Sequence, residues 1–145
     1  MQVLFLGTSS MVPTKERNQS SVLISYKNEG ILVDCGEGTQ RQLKIAGIKL
    51  TSITKILISH WHGDHVLGLP GLIQSMAASD YNKVLEIYGP KNTKEFFRNM
   101  FKTFIFDRKI DIKINEIGDD VFFQNDEFML EAKRLEHGIE TLGFG

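Results

Sequence analysis

The chain has 145 residues, 41% of them hydrophobic, which suits one compact domain with a buried core. Its formal net charge of −1 excludes a global basic field, so any nucleic-acid contact must come from local clusters of Lys and Arg. The single cysteine, Cys35, excludes an intrachain disulfide, and no apolar run is long enough for a signal peptide or a membrane helix. We therefore expect a cytoplasmic protein that does not enter a membrane.

Short runs rich in apolar and β-branched residues predict strands. They cover residues 3–6, 21–26, 31–34, 55–59, 84–88, 110–114 and 127–135. A turn at residues 27–30 predicts that the first strands form an antiparallel meander. Helical spacing predicts helices over 39–46, 70–78 and 92–104. The alternation of strands and helices predicts an α/β fold, a layered sandwich formed by a single domain.

The last predicted helix and the end of the chain each carry a specific expectation. Aromatic residues between positions 96 and 104 alternate with Arg98 and Lys102, and their helical spacing favours a core stripe over a base-stacking surface. Residues 141–145 are typical of a strand in progress, and an unfinished strand would present an unpaired edge. We therefore expect further structure to follow residue 145.

The pattern H-x-H-x-D-H at residues 60–65 directly follows an apolar strand. Side chains two residues apart on an extended backbone point to the same side, so His60 and His62 are predicted to lie together. A glycine follows and lets the chain turn, which is predicted to bring Asp64 and His65 to a second centre. Imidazole and carboxylate groups suit zinc or a similar divalent ion. The alternative, that these are ordinary loop residues, is weakened because three of the four histidines lie within six positions.

Two residues outside this motif are further candidates for the site. His137 lies where the last long strand is predicted to end, and its proximity to a metal cluster in the fold would make it a ligand rather than a surface histidine. Asp34 follows the strand at 31–33, and we predict that it holds a ligand histidine by the other ring nitrogen. A turn or helix cap before Gly36 is the alternative for Asp34.

These motifs together resemble a known family. The motif at 60–65 after an apolar strand is the signature of the metallo-β-lactamase superfamily, and the chain from Leu6 to Phe144 resembles ribonuclease Z. The segments that carry the resemblance are residues 6–9 and 13–18, the string D-C-G-E-G-T-Q at 34–40, and His137 followed by Gly143-Phe144. The string at 34–40 separates the chain from sister families such as glyoxalase II. The resemblance implies the αββα sandwich, with residues 1–145 as its N-terminal half and one sheet face left exposed.

The resemblance also implies a centre for two zinc ions. His60, His62 and His137 would hold one zinc, while Asp64 and His65 would begin the second site. A bridging aspartate and a further histidine would come from the second half of the fold. The ligand set of the second zinc is therefore expected to be incomplete in residues 1–145.

Roles in catalysis and in RNA binding follow from the same resemblance. Asp64 would be the catalytic residue that accepts a proton from the attacking water. Lys15, Arg17 and Asn18 in the first loop would contact phosphate groups or the acceptor end of tRNA through charge-assisted hydrogen bonds. Without the resemblance, these three residues would be read as solvated loop residues.

The implied activity is a zinc-dependent endoribonuclease that removes the 3′ trailer from precursor tRNA by hydroxide attack on a phosphodiester. It would require the C-terminal half, supplied for instance by a separate chain, and the complete enzyme is expected to be a homodimer. Two alternatives stay open. The chain is a non-catalytic zinc-binding half with an RNA or partner surface, or it is another hydrolase of this fold that acts on small esters or phosphodiesters.

Overall fold

Nine strands in two sheets and four α-helices build the fold in residues 1–105 and 109–145, which this computed structural model describes. The strands are β1 (Gln2–Gly7), β2 (Ser21–Tyr26), β3 (Glu29–Val33), β4 (Ile53–Leu57), β5 (Val84–Gly89), β6 (Asp111–Glu116), β7 (Val121–Gln124), β8 (Met129–Leu135) and β9 (Thr141–Phe144). The helices are α1 (Thr39–Ile45), α2 (Gly63–Val66), α3 (Leu69–Ala77) and α4 (Thr93–Phe101). Within the described ranges, none of these helices combines the length and apolar character needed to cross a bilayer.

The larger sheet has six strands in the order β1-β2-β3-β4-β5-β6. Strands β1 to β3 are antiparallel, and the pairing of Tyr26 with Glu29 leaves a two-residue turn of Lys27 and Asn28. Strands β3 to β6 run parallel, so each connection between them is a crossover that passes over one face of the sheet. The predicted meander is confirmed, and the parallel half places the carboxyl ends of β3, β4 and β5 at one edge.

Helices α1, α3 and α4 cover one face of this sheet. Alternate strand residues such as Leu32, Ile56 and Ile87 are fully buried there, and they form one apolar cluster with the helices. The aromatic stripe predicted on the last helix is confirmed for Phe97, which is buried. It is wrong for Phe104, which is 45% exposed, because α4 ends at Phe101.

The smaller sheet, β7-β8-β9, packs on the opposite face of the larger one. Its contact is a second apolar cluster, in which Leu57 and Tyr88 meet Phe122, Leu130 and Phe144 from the small sheet. The prediction of an exposed sheet face is therefore wrong at the centre of that face. The prediction fails because strand β7 was not recognised in the sequence. It is only four residues long, so the small sheet that covers the larger one was not expected.

An ion pair is buried between the two sheets. The Lys55 ammonium lies 2.8 Å from Glu29 and 3.7 Å from Glu86, and 4.3 Å from the centre of the Phe123 ring. Its side chain is 5% exposed, whereas that of Glu29 is 26% exposed. Burial alone would raise the pKa of Glu29, but hydrogen bonds from Lys55 and Thr54 outweigh it and lower the pKa below its ordinary value. Both ion pairs lie within the large sheet, and the contact of Lys55 with the Phe123 ring joins them to strand β7 of the small sheet.

Replacing Lys55 by Met should therefore destabilise the fold, because it leaves the Glu29 charge partly buried without its partner. We expect a loss of about 2 kcal/mol in the free energy of unfolding, less than for a fully buried pair. Since the pKa of Glu29 is lowered in the folded chain, the loss should be full above the ordinary pKa of Glu29 and disappear as the pH falls through the lowered value. Denaturant titrations at several pH values measure both effects.

The matched control is Lys27→Met, which removes an exposed ion pair with Glu127 across the same two sheets. This variant should unfold at the wild-type denaturant concentration. Equal losses in the two variants, or a loss for Lys55→Met that does not change with pH, would contradict the assignment.

Candidate metal centre

The H-x-H-x-D-H motif begins three residues after β4 ends, at the sheet edge where the parallel strands finish. Residue His62 keeps an extended backbone, and the rings of His60 and His62 lie 4.8 Å apart. Helix α2 starts at Gly63 and turns the chain there. Gly63 does not adopt a positive φ, so the turn is made by an ordinary helix start and not by the special freedom of glycine.

His137 reaches the same place from the loop between β8 and β9. The backbone N–H of Leu142 in β9 donates to the carbonyl of Ser59 at 2.9 Å, which joins the small sheet to the residue before His60. As a result, the His137 ring lies 4.8 Å from that of His60 and 5.3 Å from that of His62. One ligand atom from each of the three histidines lies within 4.8 Å of the others.

Asp34 holds two of the histidines in a defined state. Its carboxylate accepts hydrogen bonds from the Ser59 N–H and hydroxyl, both at 2.8 Å, and lies 2.6 Å from Nδ1 of His65. A carboxylate can only accept, so Nδ1 of His65 carries the proton. The Ser59 hydroxyl donates its hydrogen to Asp34, so its oxygen accepts a hydrogen bond from Nδ1 of His60 at 2.9 Å. In their neutral form, both rings therefore leave Nε2 unprotonated, and this is the nitrogen with which they would bind a metal.

Asp64 and His65 form a second group beside the three histidines. Nε2 of His65 lies 3.5 Å from a carboxylate oxygen of Asp64, and the His65 ring lies 4.1 Å from that of His60. Asp64 is buried in the first turn of α2. The two predicted centres are therefore adjacent, with His60 and His65 between them.

The string at residues 34–40 packs directly on this motif. Cys35 donates its N–H to the carbonyl of His65 at 2.7 Å and accepts from Gly68 at 2.9 Å. At Gly36 an added Cβ would lie 2.5 Å from both the Asp64 carbonyl and the Gln19 side chain, so only glycine allows this close approach. Cys35 itself is fully buried, and burial raises the pKa of its thiol.

The pKa values of the two central histidines shift in opposite directions. Burial, followed by the neighbouring charge of His65, lowers the pKa of His60 to about 4. For His65 burial also lowers the pKa, but the hydrogen bond and the charges of Asp34 and Asp64 together raise it above its ordinary value. Before a metal binds, His60 is therefore neutral at neutral pH and ready to act as a ligand.

The first loop lies against the same motif, since an added Cβ at Gly63 would contact Met11 at 3.6 Å. Lys15 and Arg17 are exposed on this loop, and within residues 1–105 and 109–145 neither forms an ion pair. Asn18 differs, because its side-chain amide donates to the carbonyl of Glu37 at 2.6 Å and ties the loop to the 34–40 string. A contact between RNA and any of these three residues stays a prediction.

Ser59 and Gln19 are the residues that sequence reasoning missed. The Ser59 hydroxyl forms hydrogen bonds with both Asp34 and His60. Gln19 is buried, and its side-chain amide donates to the Met11 carbonyl and accepts from the Glu37 N–H. A polar residue directly before the histidine motif was the available signal for Ser59. No local pattern marks Gln19, because its partners lie 8 and 18 residues away.

The three histidines fit a divalent metal ion. They offer three imidazole nitrogen donors, with one donor buried and two exposed, which is the ligand number of an open zinc site. Zinc binds imidazole at ~2.0–2.1 Å, so small side-chain movements would close the group on one ion. Among the described residues, His60, His62 and His137 form the group whose geometry suits a metal.

Comparison with known proteins agrees with this geometry. A family model described as anti-Pycsar protein Apyc1 matches residues 1–114. The chain belongs to this family. Ribonuclease Z of Methanothermobacter thermautotrophicus is 40% identical over 144 residues, covering 99% of this chain and 47% of the relative. Ribonuclease Z of Thermococcus kodakarensis is 42% identical, with coverages of 99% and 46%. The chain spans about half the length of these curated relatives, and its predicted resemblance to ribonuclease Z is confirmed.

Solved structures establish the fold. The short form of human tRNase Z superposes with a TM-score of 0.90 at 32% identity, covering 99% of this chain and 64% of that structure. The metallo-β-lactamase fold protein YhfI from Bacillus subtilis superposes with a TM-score of 0.78 at 19% identity, covering 98% and 55%. The chain has the metallo-β-lactamase fold, as predicted, and its group of three histidines could hold a metal ion.

We expect the chain to retain about one zinc ion after dialysis, because three histidines suffice for one open site while Asp64 and His65 alone bind weakly. His62→Ala should lose this ion. His65→Ala is the matched control, since it removes a histidine outside the group of three, and it should keep the ion. Elemental analysis of the three proteins decides the matter. Two tightly held ions in a monomeric sample, or retention by His62→Ala, would contradict the assignment.

Proposed function

We propose that this chain supplies the N-terminal part of a zinc-dependent endoribonuclease that removes the 3′ trailer from precursor tRNA. One observation carries the proposal. The histidine group and the Asp64–His65 pair lie side by side in a chain that is 40% identical to a ribonuclease Z over nearly all its length. The superposition on human tRNase Z supports the same reaction class.

The residues of the site have distinct tasks in this proposal. His60, His62 and His137 would hold one zinc ion, and Asp64 with His65 would contribute to a second. When bound, the zinc pair supplies charge neutralisation at the phosphate and activates water as the nucleophile. Asp64 would accept the proton of that water, and the position of its carboxylate, 3.5 Å from Nε2 of His65 and beside the histidine group, supports this role.

Asp34 and Ser59 act as positioning residues. Asp34 orients His65 directly and His60 through the Ser59 hydroxyl, so Nε2 is the ligand nitrogen that each neutral ring offers. Loss of this orientation would weaken metal binding even though every ligand remained.

The first loop is proposed to contact the RNA. Lys15 and Arg17 are exposed on the same loop as Met11, which lies against Gly63, and their charges suit phosphate groups. Asn18 is included as a candidate through its side-chain oxygen, because its amide nitrogen already holds the Glu37 carbonyl. The net charge of −1 makes these local cations the main electrostatic contribution of the loop.

The remaining ligands of the second zinc are proposed to come from a C-terminal half, because the relatives named ribonuclease Z are about twice the length of this chain. A separate chain would be able to supply that half, and the complete enzyme is proposed to be a cytoplasmic homodimer. Residues 1–145 are thus the N-terminal half of the domain in this proposal.

A second candidate function is a phosphodiesterase that acts on small substrates. It is favoured by the family match over residues 1–114, since the family takes its name from a protein other than ribonuclease Z. Both candidates share the metal chemistry and differ in the substrate. A non-catalytic zinc-binding half is the third, and it differs from both by having no hydrolytic activity in the complete assembly.

We expect no detectable cleavage of precursor tRNA by the chain alone, because its second metal site is incomplete. Adding the C-terminal half of the Methanothermobacter ribonuclease Z should restore removal of the 3′ trailer and binding of a second zinc ion. Asp64→Ala in the reconstituted enzyme should lower turnover by several orders of magnitude and leave tRNA affinity nearly unchanged.

Bis(4-nitrophenyl) phosphate serves as the small-substrate control in the same assay. Its hydrolysis by an assembly that leaves precursor tRNA intact would favour the second candidate, and inactivity toward both would favour the third. Cleavage of precursor tRNA by a monomeric, homogeneous sample of the chain alone would refute the need for a second half.

Replacing Lys15 and Arg17 together by Ala should weaken tRNA binding and reduce the slope of log Kd against log salt concentration by about 1–2, since each phosphate contact contributes about 0.7–0.9. Turnover at saturating substrate should stay near the wild-type value. The matched control replaces Arg41 and Lys44 on the exposed face of α1 and removes the same charge. Equal salt slopes for the two double variants would show that the first loop does not bind RNA.

A further inference from the structure

A cavity adjoins the metal centre at His62, and the other two histidines of the group do not line it. Its volume is about 360 Å³, and it is lined by Trp61, His62, Lys91, Phe96, Ile139 and Glu140 with the turn that leads into α4. His62 therefore forms a wall shared by this cavity and the histidine group. The cavity has the size and mixed apolar and polar lining of a small-ligand site.

Two aromatic rings form the apolar walls. The rings of Trp61 and Phe96 lie 5.4 Å apart at an angle of 58°. Phe96 is 41% exposed although it belongs to α4, which makes the predicted core role of this residue wrong. The stripe of α4 that faces the core is occupied by Phe97, and Phe96 lies beside it, toward the cavity.

The Trp61 ring is held in place by hydrogen bonds. Its indole N–H donates to the Thr93 hydroxyl at 2.9 Å, and that hydroxyl donates to the Pro90 carbonyl at 2.6 Å. The polar edge of the indole is therefore satisfied within the protein. What remains for a ligand is the apolar surface of the ring, next to a second aromatic surface.

The cavity also carries charge. Lys91 is exposed at its border and forms no ion pair within the described ranges of the chain. Glu140 lies 3.6 Å from Arg134, so its charge is partly compensated. An apolar side chain from a protein partner would not need the cation, whereas a nucleotide has both an aromatic base and a phosphate.

We propose that this cavity is a nucleobase subsite, which holds the base of the nucleotide next to the phosphate at the metal centre. The inference rests on the proposed function and adds the position at which one base of the substrate binds. Trp61 and Phe96 stack on the base, Lys91 contacts an adjacent phosphate, and the shared His62 wall places that nucleotide beside the reacting bond. Stacking accepts any base, so the subsite contributes affinity and position rather than sequence preference.

Trp61 is the single tryptophan of the chain, so the intrinsic fluorescence of the protein reports on this cavity directly. Titration with a trinucleotide RNA and with a mononucleotide should quench this fluorescence in a saturable way. Ribose 5-phosphate and inorganic phosphate should not, because they lack the base. Tighter binding of the trinucleotide identifies an RNA base as the occupant, and equal affinity identifies a free nucleotide base.

Two substitutions of Phe96 distinguish aromatic stacking on the base from contact with any apolar side chain. Phe96→Ala should weaken binding about tenfold, the usual size of one lost stacking contact. Phe96→Leu should weaken it similarly, since it keeps an apolar side chain and loses the aromatic surface. Phe104→Ala is the matched control, because it removes another exposed phenylalanine just after α4 that does not line the cavity, and it should bind as the wild type does.

Quenching by ribose 5-phosphate equal to that by the nucleotides, or wild-type affinity in Phe96→Leu, would overturn the subsite. The test is separate from that of the proposed function. Cleavage of precursor tRNA without base-dependent quenching would refute the subsite alone. Base-dependent quenching in a protein whose reconstituted form leaves precursor tRNA intact would support the subsite and refute the proposed function.

Discussion

The hydrogen bonds between Asp34 and Ser59 are the interaction on which the candidate site depends. They join the end of β3 to the end of β4, so the two parallel strands finish in a fixed relation. The same carboxylate reaches His65, and the Ser59 hydroxyl reaches His60. One buried acid therefore sets both the backbone path that leads into the histidine motif and the orientation of two of its rings. Asp34 has a φ of 58°, a left-handed conformation that aspartate tolerates better than most residues.

The backbone carbonyl of Ser59 links the two sheets. Its carbonyl accepts the N–H of Leu142, so β9 is attached to the strand end that carries His60. Leu57 and Tyr88 of the large sheet belong to one apolar cluster with Phe144 of β9, and this cluster packs the two sheets together. His137 is placed by that packing, although it lies far along the chain from His60. The metal centre is thus a consequence of sheet-on-sheet packing, and changes in the cluster between the sheets should be transmitted to the ligands.

Much of the fold was predictable because its signals are local. Strand runs, the turn after Tyr26 and the apolar positions of α3 depend on residues that are close in sequence, and so does the pairing of His60 with His62. The contribution of Gln19 was not predictable, since its partners are set by the tertiary fold, and the only signal for Ser59 was its position directly before the histidine motif. Strand β7 was missed because four residues carry too little periodicity, and Phe96 was misassigned because helical spacing does not say where a core stripe ends. The buried position of Lys55 likewise depends on a sheet that local patterns did not reveal.

The central claim is that the packing of β9 on Ser59 completes a metal site from His60, His62 and His137. The most direct measurement is anomalous diffraction at the zinc edge from crystals of the chain grown with one equivalent of zinc. The account predicts one strong peak within bonding distance of an imidazole nitrogen from each of these three histidines, with Asp34 still hydrogen-bonded to His65. A strong peak on Asp34 and His65, or one held by His60 and His62 with His137 turned away, would contradict it.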